Sequence, residues 1–337
     1  MTPIATYSDV TPQRFREIAA AAQPALLKGV IKDWPAVKAA RQSDRAVVDY
    51  LKPFDQGRPA EVWLGEPAIK GEFFYGDSLD RLNFRKAPAT VSATLEHLLS
   101  LVSQAEPPSV YIQSTAIATY LPAFTADNRL ELVPEVAPRL WVGNRLRVQT
   151  HYDPVDNIAC VVAGRRRFTL FPPQQLVNLY VGPFDKTVAG APVSMAPIEN
   201  PDFERFPRLR EALDHAQIAE LEPGDGLYIP YFWWHHVQSL TPFNILVNYW
   251  WDDQPQQNAE AMDAFLHAVL ALRDLPAHRR DIWKTMLDHY VFATHGDPVA
   301  HLPPADRGAL GPMTPDKLSL TRQRLVERLI GRWKPKA

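Results

Sequence analysis

The sequence has one cysteine, Cys160, in 337 residues. That excludes an internal disulfide framework and leaves no zinc site built on several thiolates. Cys160 lies in an apolar stretch, NIACVVAG, with no histidine or basic residue beside it. It is therefore expected to be core packing and not a nucleophile. No stretch approaches the ~18 consecutive apolar residues that a membrane-spanning helix needs. Neither charge dominates: 36 Lys and Arg against 38 Asp and Glu leave a formal net charge of −2. With no long basic run, electrostatic capture of nucleic acid is disfavoured. The first ten residues, MTPIATYSDV, hold no basic stretch followed by an apolar one. No secretory leader is expected, and the expected compartment is the cytoplasm.

What is present is ordinary globular composition, 46% hydrophobic and 22% charged, with 32 prolines spread along the chain. Many prolines without a low-complexity tract suit the turns of a β-rich fold. Thr11 and Pro12 open a short helix over 11–22, and Ser43 caps another over 43–51. Residues 24–35 read as a strand and a turn. EVWLG (61–65) and EFFYG (72–76) read as one hairpin, and 91–102 as a helix. From Ser109 the period changes to two. In 109–115, Tyr111, Gln113 and Thr115 share one face and Val110 and Ile112 the other. Strands follow at 139–144 and 145–153. NIACVVAG and RRRFTLF read as a hairpin turning at Gly164. Residues 174–216 are a loop-rich insertion of the kind that forms lids or binding loops. Strands resume over 219–240, around a turn at Pro223–Gly226, and over 244–251. Beyond Pro255, helices are expected at 257–273, 278–291 and 315–333.

This order predicts three parts: an N-terminal α/β extension (1–105), a β-rich centre (106–254) and a helical region (255–337). The centre has the strand count and spacing of a double-stranded β-helix, a jelly roll of cupin type with flanking helices. The C-terminal helices carry more apolar stripe than one short bundle needs, so a homodimer through about 257–333 is expected.

The chemistry begins at HYD. His151 and Asp153 are two apart, and on a strand they point the same way. Alone, such a triplet carries little weight. A third donor is offered by IPYFWWHHV, where His235 and His236 are adjacent and at most one faces inward. Two histidines and one carboxylate leave coordination positions open, as in non-haem Fe(II) oxygenases. The run after Gly164 adds a cation. Alternation puts Arg165, Arg167 and Thr169 on one face and Arg166 with Phe168 and Leu170 on the other. A cation on that apolar, inward face needs an anion.

Taken together, HYD, GRRRFTLFPP, YIPYFWWHHV and NYWW resemble the JmjC/cupin-like Fe(II)- and 2-oxoglutarate-dependent hydroxylases, their asparaginyl hydroxylase branch above all. The resemblance is clear over about 109–251 and looser on either side. It implies Fe(II) held by His151, Asp153 and His235, with 2-oxoglutarate and O2 as cosubstrates. It selects His235 over His236 because His235 directly follows Trp234. It puts Arg166 where the family usually has a lysine for the far carboxylate of 2-oxoglutarate. It implies Tyr111, Asn157 and Asn248 near that cosubstrate, Gln113 as a substrate contact, and Trp250 beside the metal. The family's threonine has no counterpart, since Val148 stands at its position. The implied activity is hydroxylation, with a protein side chain favoured as substrate and a small molecule as the other candidate. Two further readings stay open. One is a cupin enzyme using another metal, which would want a further histidine near Asp153. The other is a non-catalytic binding or regulatory module, for which Arg166 in place of lysine is the argument.

Overall fold

The computed structural model describes residues 1–252 and 260–332. The chain divides into two compact units after Asp252. The expected boundary at 254/255 lies outside the described residues.

In the first unit, local signals set the helices. Thr11 accepts from Arg14 N and Pro12 occupies the first turn of α1 (Pro12–Ala20). Helix α2 (Pro35–Gln42) leads into α3 (Asp44–Leu51), whose cap Ser43 accepts from Ala46 N. Thr90 caps α4 (Val91–Leu101) in the same way. Short helices α5 (Ile117–Tyr120) and α6 (Leu209–Asp214) lie in later connections.

The strands are β1 (Thr2–Pro3), β2 (Ala5–Ser8), β3 (Ala25–Lys28), β4 (Ala60–Gly65), β5 (Arg85–Ala89), β6 (Ser109–Ala116) and β7 (Pro138–Gly143). They continue as β8 (Arg147–His151), β9 (Asp156–Ala163), β10 (Arg166–Phe171), β11 (Gln217–Leu221), β12 (Gly226–Ile229), β13 (Trp234–Ser239) and β14 (Asn244–Trp251). One sheet runs β1-β11-β10-β13-β8 and the other β2-β3-β12-β9-β14-β7-β6-β4-β5. This is the expected jelly roll. Alternation divides its core in two. Ala159, Val161, Phe168, Leu170, Leu227, Ile229 and Leu246 fill the space between the sheets. Ile158, Cys160, Val162, Val247 and Tyr249, on the other face of the larger sheet, pack with Phe15, Ile18, Val37, Val48, Leu95 and Leu98 of α1–α4. Cys160 is fully buried, as its surroundings implied. Each large apolar side chain so buried contributes about 1.5–3 kcal/mol.

Three local expectations need correction. Residues 72–76 do not pair with β4, whose partners are β5 and β6. The Asn83 side chain intercepts their backbone instead, accepting from Phe74 N at 2.9 Å and donating to Glu72 O at 2.8 Å. Second, β9 and β10 are not a hairpin: they lie in different sheets. Gly164 turns the chain across the sandwich at φ +76°, where an added Cβ would sit 2.4 Å from Phe243 O and from Asn244 Oδ1. Third, Thr115 does not share a face with Tyr111. Tyr111 pairs with Gly143 and Ile112 with Val142, but Thr115 pairs with Leu140. Gln113 and Ser114 together oppose one residue, a β-bulge that reverses the alternation.

The insertion between β10 and β11 carries little regular structure beyond α6 and a short 3-10 segment, as expected. Its Tyr180, Val181, Leu179 and Ala196 pack with Phe171, Trp234 and Tyr152 behind the smaller sheet. The second unit contains α7 (Ala261–Leu272), α8 (Ala277–Tyr290) and α9 (Pro315–Arg332). Helices α7 and α8 bury none of their residues. No described helix is long and apolar enough to cross a membrane.

Gly164 combines a left-handed backbone with a closed surrounding. Gly164→Val should cost about 2–4 kcal/mol through strain and overlap together. Thermal unfolding followed by circular dichroism reads this directly, and an unchanged midpoint would refute the crossing geometry.

Candidate active site

His151 ends β8 and pairs across the ladder with His235 on β13. The register then slips, so that Val237 pairs with Val148. The extra residue in β8 is a bulge, and it lets Val148 and His151, three apart, both face the cavity. The two imidazoles lie 4.2 Å apart by ring centroid. His151 Nδ1 is 2.8 Å from Gln149 O and His235 Nδ1 is 3.0 Å from Trp233 O. A carbonyl only accepts, so both Nδ1 atoms carry the proton and both Nε2 atoms present lone pairs. Burial, reinforced by the neighbouring His151, holds the His235 imidazole well below its ordinary range and keeps it neutral.

Asp153 lies just past the end of β8, not within the strand as HYD suggested. It is fixed by other means. Trp250 Nε1 donates to Asp153 Oδ2 at 3.2 Å, and Phe232 N donates to Asp153 O at 3.1 Å. Phe232 sits at φ +61° and stacks on Tyr152 at 4.4 Å. A bulky residue in that conformation costs on the order of 1–3 kcal/mol and persists only where packing over-determines it. Here it turns the chain from β12 into β13 so that His235 points inward. The donor atoms of His151, Asp153 and His235 all lie within 4.8 Å of one another, the one such cluster among the described residues. His236 faces the other way, its Nε2 3.2 Å from Glu199 Oε1.

The same cavity is lined by Tyr111, Asn157, Arg166, Asn248 and Trp250. Arg166 is 3% exposed, and its Nε and Nη2 have no hydrogen-bond partner among the described residues. Burial lowers its pKa to about 10, so it remains a cation at neutral pH. Arg165 and Arg167 point outward onto Glu220, at 2.9 Å and 2.5 Å. Burial pushes the Tyr111 phenol up, leaving a neutral hydroxyl beside that guanidinium. Asn248 Nδ2 donates to Asn157 Oδ1 at 3.1 Å, and Trp141 Nε1 donates to Asn248 Oδ1 at 2.6 Å. Gln113 is half-buried at the bulge and does not line the cavity. Val148 lines it without offering a hydroxyl, and Thr150 is fully buried with no partner for Oγ1. Of the polar lining residues, Trp141 is the one that sequence reasoning missed. Its parity with Gly143 gives its face, but the pairing of Gly143 with Tyr111 has no local signal.

The model of the cupin-like domain family matches residues 11–257. The chain belongs to this family. The match extends far upstream of the motif-bearing centre and takes in β3, β4 and β5 of the larger sheet. Relatives of JmjC type accompany it. The chain is 36% identical over 127 residues to lysine-specific demethylase JMJ31 of Arabidopsis thaliana, covering 37% of this chain and 23% of that protein. It is 32% identical over 148 residues to human HSPB1-associated protein 1, covering 42% and 29%. To Jumonji C domain-containing protein 5 of Drosophila melanogaster it is 27% identical over 238 residues, covering 69% and 55%. The matches thus span between 23% and 55% of the length of these relatives.

A cupin-like cavity holding an unpaired buried cation is destabilised by it when empty. Arg166→Met, similar in volume and apolar, should raise the unfolding free energy by about 1–4 kcal/mol in the ligand-free protein. Chemical denaturation measures this, and a loss of stability would mean that the guanidinium is satisfied in solution.

Proposed function

We propose that this cupin-like protein is an Fe(II)- and 2-oxoglutarate-dependent oxygenase that hydroxylates a protein side chain. The observation that carries this reading is one cavity holding both a two-histidine, one-carboxylate donor set and an unpartnered buried guanidinium. The donors fit a metal that keeps positions open for small molecules. The guanidinium fits a dicarboxylate whose far end must be held in a dry place.

Fe(II) would be held by His151 Nε2, the Asp153 carboxylate and His235 Nε2. When bound, iron and 2-oxoglutarate together supply O2 activation, with the keto acid decarboxylated and one oxygen passed to a substrate C–H bond. The chain contributes position and dryness. The carbonyls of Gln149 and Trp233 fix both imidazole tautomers. Trp250 orients Asp153. Arg166 would hold the distal carboxylate with the Tyr111 hydroxyl beside it, and the Asn157–Asn248 pair lines the same cavity. Val148, Phe168, Ile229, Val237 and Leu246 exclude water. A protein substrate is favoured by relatives named as a lysine-specific demethylase and as an HSPB1-associated protein.

Anaerobic addition of Fe(II) and 2-oxoglutarate should produce a metal-to-ligand charge-transfer band in the visible. Asp153→Ala should abolish it, and Arg166→Ala should weaken 2-oxoglutarate by about 10- to 100-fold. No band, together with no succinate formed in air, would remove the oxygenase reading. An unchanged affinity in Arg166→Ala would assign the carboxylate to another group.

We propose further that the helical region pairs two copies of the chain. Leu270, Ile282 and Ile330 are 80%, 62% and 66% exposed on helices that find little core of their own. Light scattering at micromolar concentration should return about twice 38.1 kDa. Leu325→Glu with Ile330→Glu should halve that mass, whereas a monomeric parent protein would refute the pairing.

A further inference from the structure

We infer that Arg139 selects a substrate segment bearing a carboxylate, an Asp or Glu side chain next to the residue presented to the metal. This rests on the oxygenase reading and adds to it a chemical class of substrate.

Arg139 lies on β7, two residues before the cavity-lining Trp141 and so on the same face of the sheet. It pairs with Asn248 on β14 and with Ala116 on β6. Its guanidinium is held from two sides. Nε donates to Ser114 Oγ and Nη2 to Ser114 O, each at 2.6 Å. Its Cζ lies 5.6 Å from the centre of the Trp250 ring. That indole is the one that donates to Asp153. The cation is therefore one ring away from a carboxylate of the metal donor set.

Both Ser114 bonds use the lateral edge of the fork, the one formed by Nε and Nη2. The end of the fork, Nη1 with the second Nη2 hydrogen, makes no hydrogen bond to the described residues. That edge matches a carboxylate with two parallel hydrogen bonds. No described carboxylate lies within ion-pair distance of Arg139. On the smaller sheet, by contrast, the outward-facing Arg147 pairs with Glu199, and Arg167, with Arg165 at the strand's start, pairs with Glu220. A half-buried guanidinium that is braced on one edge, stacked on a face and open at its end is preorganised for an anion.

The brace itself is built for this. Ser114 stands at φ +49° within the β6 bulge, beside half-buried Gln113. Regular pairing would turn this serine to the opposite face. The bulge lifts its hydroxyl and carbonyl toward Arg139, and such re-aimed residues cluster at functional rims. A small-molecule carboxylate is the less favoured source, because half-buried Arg139 does not line the closed cavity where Arg166 lies.

The test uses the full-length protein with Fe(II) and 2-oxoglutarate under anaerobic conditions, presented with a degenerate N-acetylated nonapeptide library. Retained peptides are sequenced by mass spectrometry. Asp and Glu should be enriched about fivefold or more over Asn and Gln at one position, an enrichment in line with one charge-assisted contact. Arg139→Met should erase the enrichment, and Arg139→Glu should replace it by Lys and Arg. A merely structural arginine would not invert the preference. Arg139→Lys, which keeps the charge and loses the fork, should retain a reduced enrichment should Arg139→Glu fail to fold. Equal retention of acids and amides by the parent protein, or the same profile in Arg139→Met, overturns the inference. The charge-transfer band is recorded in the same sample. A band without acidic enrichment sinks this inference alone. Enrichment without a band sinks the oxygenase reading and leaves an acid-binding rim.

Discussion

A cation buried in an apolar cavity without a partner is the constraint from which the rest of this structure follows. Arg166 lines the cavity with Phe168 and Val237, and neither its Nε nor its Nη2 finds a partner among the described residues. Leaving such a group unpaired costs several kcal/mol, and a chain that retains it does so for what will pair with it. An anion there must be held away from solvent, which requires walls. The two sheets supply them, and their facing residues are apolar except where a ligand would need contacts: Tyr111, Asn157, Asn248 and the metal donor set. The Asn157–Asn248–Trp141 chain shows the same economy. Each buried amide meets a partner inside the wall, so none competes for the guanidinium.

Regular alternation alone would not make this site. It is made at the places where alternation is broken. The slip in β8 lets Val148 and His151 both face inward. The bulge at Gln113–Ser114 keeps Tyr111 in the cavity while freeing the backbone beyond it to brace Arg139. Phe232, left-handed and stacked on Tyr152, aims His235 and latches to the backbone of Asp153. Each irregularity carries local strain or an unpaired group, Thr150 Oγ1 among them, and each serves to point a side chain that the parent strand would point elsewhere.

The same logic explains what was legible in the sequence. The helices could be read because caps and prolines act locally. Strand existence, the inward face of Arg166, the burial of Cys160 and the outward position of Arg165 and Arg167 could be read because parity is local too. Pairing could not. Alternation says which side chains share a face but not which strand lies alongside, so the segments flanking Gly164 looked like a hairpin and are opposite walls of a sandwich. The segment 72–76 failed for a related reason: one side chain, Asn83, takes the backbone groups a hairpin partner would have used. Thr115 escapes a reading by parity because of a bulge whose only mark is a serine at positive φ. The choice of His235 over His236 came from family resemblance, and its physical cause, the Phe232 turn, has no signature in sequence.

His236, set aside by that choice, shows how the back of the site is secured. On β13 the residues alternate: His235 and Val237 face the cavity while Trp234, His236 and Gln238 face the insertion. Glu199 of the insertion meets His236, Gln238 and Arg147 at once, spanning β13 and β8. Burial works against its charge, yet the hydrogen bonds from His236 and Gln238 and the nearby Arg147 prevail and hold the carboxylate below its ordinary range. The two strands that carry His151 and His235 are therefore clasped from outside by one ionised side chain. Between them, the clasp behind and the unpaired cation within divide the work. One fixes the backbone from which the imidazoles project, and the other reserves the space in front of them for an anion.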